Sequence, residues 1–160
     1  MNIKIFTTGG SIDKSYSPKD STFIIGEPQI ADILKEANVT LEYDIESLMK
    51  KDSLDLTDTD RKLIHDKVKA DPTRHIIITH GTDTMTDTAR ALKDIPAKTI
   101  IITGAFQPAS AKKTDAVFNV GAAISCVQTL PDGVYVVMNG RVFDPDKARK
   151  NPDSDTFEQL

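Results

Sequence analysis

Three unbroken apolar runs constrain this chain more than anything else in it: His75-Ile76-Ile77-Ile78-Thr79, Lys98 to Thr103, and Val134 to Met138. None of them alternates. A strand with apolar side chains on both faces must be covered on both faces, as the inner strands of a parallel α/β sheet are. A first strand opens the chain at Asn2 to Phe6, and Val39 to Ile45 alternates as a second. Segments of helical spacing separate these strands, and strand–helix alternation makes βαβ units. The expected fold is an α/β, flavodoxin- or Rossmann-like doubly wound three-layer sandwich. Its sheet is mostly parallel, with strand order about 2-1-3-4-5, in a single domain over 1–160. A chain of 160 residues is long enough to bury one sizeable core.

The connecting segments carry readable signals. Ile12 to Gly26 is rich in Ser, Lys, Asp and Pro and reads as a loop or small hairpin, of a length typical of lids. Glu27-Pro28 opens a helix carrying Ile30, Ile33, Leu34 and Ala37, which Asn38 ends. Ser47 to Asp55 reads as a connecting loop. Thr57 and Asp60 have capping-box spacing, and a helix follows to about Ala70 with Leu63, Ile64, Lys67 and Val68 near one face. Later helices run through Ala89 to Asp94 and along Val117, Val120, Ala123, Ile124 and Val127. Asn139 to Leu160 is polar and without a strong period.

Composition narrows the function classes. A net charge of −4 without a basic run supplies no electrostatic footprint for nucleic acid or an anionic membrane. No segment approaches transmembrane length, and the N-terminus lacks a signal-peptide pattern. The expected compartment is the cytoplasm. The single cysteine, Cys126, lies in an apolar run and reads as a small buried hydrophobe, without a disulfide partner or an activating neighbour.

In a sheet of order 2-1-3-4-5, ligands bind beyond the carboxyl ends of the strands, where the order reverses between strands one and three. The turns after those two strands are Gly9-Gly10-Ser11 and His80-Gly81-Thr82-Asp83-Thr84. Topology therefore brings Ser11 near Thr82 and Asp83. Each turn has a plain structural reading as well: a tight glycine turn with a capping serine, and a helix start, since Thr and Asp are favoured N-caps. His80 reads as a strand-end residue that packs or hydrogen-bonds. Hydroxyls and carboxylates without a His/Cys cluster argue against a transition-metal site. The first turn lacks the spaced glycines of a dinucleotide site and the Gly-Lys-Ser/Thr of a phosphate loop. A hydroxyl nucleophile with a base and oriented N–H groups suits acyl transfer.

Thr8-Gly9-Gly10-Ser11-Ile12 resembles the first signature of bacterial-type L-asparaginases, and His80-Gly81-Thr82-Asp83-Thr84-Met85 with Thr88-Ala89 resembles the second. Gly104-Ala105-Phe106-Gln107-Pro108, Asp115 with Phe118-Asn119, and Gly133 to Asn139 are similar to further family segments, in order over essentially the whole chain. The resemblance implies hydrolysis of the side-chain amide of L-asparagine, or a related small amide, to the acid and ammonia, without a cofactor or metal. Ser11 falls where the family has its nucleophilic threonine. Thr82 and Asp83 match its second threonine and its aspartate. Lys150 matches its buried lysine, which would form a base relay with Thr82 after losing its charge to desolvation. Gly10, Asp52, Ser53, Gly81 and Ala105 are the expected substrate-binding positions, Ser53 matching the serine that holds the substrate α-carboxylate. Tyr16 is carried as the lid tyrosine, with Phe23 the competing position. Ser in place of Thr removes the methyl that fixes the nucleophile's rotamer. The family's smaller C-terminal domain is expected to be absent. A pocket short of one wall points to a homodimer or higher oligomer, or to a weak homologue that binds aspartate-like ligands.

Overall fold

A computed structural model describes residues 1–160. Strand β1 (Asn2–Gly9) leads into a hairpin of β2 (Lys14–Ser17) and β3 (Thr22–Ile25), then helix α1 (Ile30–Glu36) and β4 (Glu42–Lys51). Helix α2 (Asp58–Ala70), β5 (His75–Thr79), α3 (Met85–Ala91), β6 (Thr99–Thr103), α4 (Ala116–Thr129) and β7 (Gly133–Met138) follow. The chain finishes with β8 (Arg141–Phe143), β9 (Ala148–Asn151) and β10 (Thr156–Gln159). The main sheet has the order β4-β1-β5-β6-β7-β8. All its neighbours are parallel except β7 and β8. Among the parallel strands the order is second, first, third, fourth, fifth, so the reversal falls between β1 and β5.

The apolar runs are continuous because both faces of the sheet are covered. Ile76, Ile78, Ile100, Ile102 and Val136 point toward α2 and α3, where they meet Ile64, Val68, Ala89 and Leu92. The intervening Ile77, Ile101 and Val137 point toward α1 and α4, against Ile33, Leu34, Val120, Ala123 and Val127. Ile77 stands in register with Ile5 on one side and Ile101 on the other. The capping box of α2 is present in both directions, with Asp60 N–H donating to Thr57 Oγ1 at 3.2 Å and Thr57 N–H to Asp60 Oδ2 at 2.9 Å.

Several boundaries differ from the sequence reading. Strand β4 begins at Glu42 and extends through the expected loop to Lys51, pairing with Gly9. It is an edge strand with mixed exposure, and polar residues are at home on such edges. Helix α1 starts at Ile30, after Glu27-Pro28. On the helices, Leu63 and Val117 are exposed while Ile64, Val68 and Val120 carry the buried faces. Cys126 is half-buried at the margin of the α1/α4 core. The largest difference is the tail: 139–160 adds an antiparallel edge strand, β8, and a separate β9–β10 hairpin. No helix is long and apolar enough to cross a membrane.

Candidate active site

Three turns meet at the carboxyl end of the sheet, and glycine permits the meeting. Gly9 and Gly10 have φ of 99° and 87°, a region that disfavours L side chains. A Cβ on Gly10 would lie 2.5 Å from the backbone N and Cα of Gly81. A Cβ on Gly81 would lie 2.7 Å from Ser53 Cβ. Gly10 N–H donates to Lys51 O at 3.0 Å, and Thr8 Oγ1 donates to Thr79 O at 2.9 Å. The turn bearing Ser11 therefore lies against the turn bearing Thr82, and the latter against Ser53.

Asp52 caps a short 3-10 turn, Ser53–Asp55, by accepting Leu54 N–H. That bond, helped by Lys14 Nζ at 3.3 Å, holds the Asp52 carboxyl below the usual carboxylate range. Ser53 is buried; its Oγ accepts Asp83 N–H at 3.1 Å and its carbonyl accepts the Thr84 hydroxyl at 2.8 Å. These bonds lock the 52–55 turn to the 81–84 turn. Lys150 Nζ reaches in from β9, 2.9 Å from Thr82 Oγ1 and 2.7 Å from Asp83 Oδ1. The expected desolvated pocket is not what surrounds this amine: its side chain is 21% exposed and it is ion-paired with the Asp83 carboxylate. Nζ also lies 5.3 Å from the centroid of the Phe106 ring.

The hairpin that carries Lys150 docks through two buried apolar residues, Ala148 on β9 and the larger Phe157 on β10. Phe157, opposite Lys150 in the β9–β10 ladder, is buried against Phe106 and Phe143 at ring-centroid distances of 5.9 and 6.3 Å. Burying such a side chain stabilises by roughly 2–3 kcal/mol. Ion pairs of Asp146 with Lys93 and Arg90 fasten the preceding turn to α3. Ala105 is fully buried after β6, in a loop held by Asp115, whose carboxylate accepts Phe106 N–H and Gln107 N–H at 3.0 and 2.9 Å.

Two of the expected residues, Ser11 and Tyr16, make no side-chain hydrogen bond within the site. Ser11 is half-buried, and its hydroxyl makes no hydrogen bond. Tyr16 is 56% exposed on the hairpin, its ring set edge-on against Phe23 at 5.7 Å, and its hydroxyl bonds to nothing in the site. An aromatic pair on a two-stranded ribbon packs cross-strand, since Tyr16 and Phe23 are register partners. His80 is fully buried, with Nε2 2.8 Å from Thr88 Oγ1 and Nδ1 2.7 Å from Gly81 O. Burial pulls its imidazole down to about 4, so it is neutral at pH 7 and serves the turn's structure.

Asp13 went unnoticed in the sequence. It is buried at the base of the hairpin, its Oδ1 accepting Gln29 N–H at 2.9 Å and its carbonyl accepting Gly26 N–H at 2.8 Å. Burial pushes its carboxyl up to about 6, opposed by the Gln29 hydrogen bond. A short Ser-Ile-Asp segment offers no local signal for this; the burial comes from the hairpin folding back. Between the hairpin and the end of β4 runs an open groove of about 590 Å³, lined by Phe23 and Ile25 on one side and Lys51 and Asp52 on the other. No group of three or more His, Cys, Asp or Glu side chains is arranged to hold a metal ion.

This chain is 31% identical to the glutaminase-asparaginase of Acinetobacter glutaminasificans over 89% of its length and 47% of that protein's. It is 31% identical to L-asparaginase 2 of Escherichia coli over 99% of its length and 49% of that protein's. The chain thus spans about half the length of these curated relatives. The crystal structure of L-asparaginase I from Vibrio cholerae superposes with a TM-score of 0.87 at 25% identity, covering 99% of this chain and 51% of that one. A family model described as "Asparaginase, N-terminal" matches residues 2–159, and on that match the chain belongs to the asparaginase family, of which it carries the N-terminal α/β domain.

Proposed function

We propose that the protein is an amidohydrolase that cleaves the side-chain amide of L-asparagine, or a related small amide, to the acid and ammonia. The observation that carries this reading is the contact of Lys150 with both Thr82 and Asp83 beside the Ser11 turn. Ser11 Oγ attacks the amide carbonyl carbon, forming a C–O bond as the C–N bond breaks. The nitrogen leaves as ammonia, taking the proton released by the serine. Water then attacks the acyl-enzyme, returning the acid and the free hydroxyl. Thr82 receives the proton of the attacking hydroxyl or water and passes its own to Lys150, whose ammonium gives one of its protons to the Asp83 carboxylate 2.7 Å away. Asp83 and Ser53 hold the charged ends of an amino-acid substrate, with Gly10, Gly81, Asp52 and Ala105 forming the surrounding wall. Tyr16, carried on the hairpin, covers the bound substrate when the hairpin moves inward.

A homodimer in the cytoplasm belongs to the same proposal. The exposed apolar side chains Val117, Phe118 and Val142 supply surface for association, and the lone Cys126 calls for no oxidising compartment. Sedimentation tests the first point and cell fractionation the second.

The central test is ammonia release from asparagine, glutamine and peptide-linked amides, with Thr82→Ala as control. The expected result is turnover of at least one amide by the wild type and loss of it in the control. Equal inertness of both, with aspartate still raising the melting temperature, replaces the enzyme with a binding module.

A further inference from the structure

Lys150 stands on a hairpin outside the main sheet, yet it must meet Thr82 to within hydrogen-bond distance. The two apolar anchors of the hairpin, Ala148 and Phe157, cannot set that distance alone, because a methyl group and a ring can slide in an apolar pocket. A chain of amide hydrogen bonds does the rest. Asn139 follows β7 with φ of 53°, a left-handed conformation in which Asn is enriched. Its Oδ1 accepts Phe157 N–H at 2.8 Å, and its Nδ2 donates to Asp155 O at 3.3 Å. Its own backbone N–H donates to Asn119 Oδ1 at 3.2 Å.

Asn119 is buried, and its Nδ2 donates to Gly104 O and to Asp115 Oδ2, each at 3.0 Å. Gly104 in turn presses on the second turn: a Cβ there would lie 2.2 Å from His80 O. The contacts close a ring. They run from the 80–83 turn through Gly104, Asn119 and Asn139 to Phe157, across the β9–β10 ladder to Lys150, and back to Thr82.

We infer that Asn139 is a positioning residue: with Asn119 behind it, it holds the Lys150 strand in register with the Thr82 turn and couples that register to the Gly104-Ala105 loop. Both ends of its amide are used, so neither a hydrophobic side chain nor a bare backbone reproduces the clamp. The catalytic consequence rests on the amidohydrolase reading. The geometric claim does not.

The test compares wild type with Asn139→Gly, which suits the left-handed backbone and deletes both side-chain bonds. Trace acetylation with peptide mass spectrometry reads the accessibility of Lys150, with Lys147 and Lys112 as internal references. Steady-state kinetics on whichever amide the wild type cleaves read the rest. The expected result is a Lys150 labelling rate raised about tenfold, with kcat lowered about 10–100-fold and KM changed less than about threefold. Unchanged labelling of Lys150 in the folded variant overturns the proposal, whatever the kinetics show. A rise in KM at constant kcat overturns the coupling to the relay. If the wild type cleaves no amide, the amidohydrolase reading falls and labelling alone decides the clamp. Hydrogen exchange on the wild type needs no variant: the Phe157 amide must be protected, and exchange at the rate of a free peptide overturns the clamp.

Discussion

Lys150 Nζ lies 2.9 Å from Thr82 Oγ1, joining residues 68 positions apart in the chain. The pair links the hairpin at the end of the chain to the sheet's reversal point, and Asp83 shares the amine. Replacing Lys150 by Met should lower kcat by about 10²–10⁴, the usual contribution of general acid–base groups. The melting temperature should stay near that of the wild type, because the side chain is partly open to solvent. An active Lys150→Met chain in the ammonia assay would remove the relay from the mechanism.

In the proposed mechanism, covalent catalysis depends on Ser11. Ser11→Ala should abolish turnover, by about 10⁴ or more in kcat, without altering the fold, since its hydroxyl bonds to no other group in the protein. Ser11→Thr should keep or raise kcat, because the added methyl restricts χ1. Burst kinetics on the three chains check both expectations. A burst persisting in Ser11→Ala would place the nucleophile elsewhere.

Asp13 and His80 oppose one another in the acid range. Asp13 titrates near 6 when folded against 3.8 otherwise, so folding takes up a proton and stability falls as pH rises through that window. His80 titrates near 4 when folded against 6.5, so its stabilisation is complete above about 6.5 and is lost as pH falls toward 4. Each effect amounts to at most about 3 kcal/mol. Relative to wild type, Asp13→Asn should gain stability as pH rises from about 4 to 7. His80→Gln should lose its disadvantage as pH falls over the same range. Denaturation midpoints across pH show the two slopes, and parallel curves for wild type and either variant would contradict the burial argument.

Gly10→Ala combines a left-handed backbone with a collision against Gly81. It should destabilise by about 2–4 kcal/mol from backbone strain and overpacking together. It should also reduce activity more than stability suggests, because relieving the clash separates the Ser11 and Thr82 turns. Urea midpoints and kcat measured on the same preparations check this.

The turns of the proposed site are legible in the sequence because their signals are local. Glycine pairs, a capping box between Thr57 and Asp60, and apolar runs covered on both faces all show within a few residues, and they place Ser11 near Thr82 through topology. The Lys150 hairpin was legible only as a family correspondence. By composition 139–160 is a polar tail, and its order comes from Phe157 burying itself against Phe106 and Phe143 and from Asn139 bonding Phe157 N–H. The reach of β4 to Lys51 is not legible in the sequence for a related reason. An edge strand takes its pairing from its neighbour, so its own residues need not be apolar.

By itself, the sequence determined the layers of this protein and the crevice in which its site is proposed, because continuous apolar strands can be buried in few ways and a reversal in strand order makes one crevice. Only the tertiary structure decided how the site is held. It paired Lys150 with Asp83 rather than enclosing it, left Tyr16 outside against Phe23, buried Asp13 under the hairpin and tied the last strands to Asn139. Each of these outcomes depends on groups far apart in the chain meeting at hydrogen-bond or van der Waals distance, and no local pattern of residues encodes such a distance.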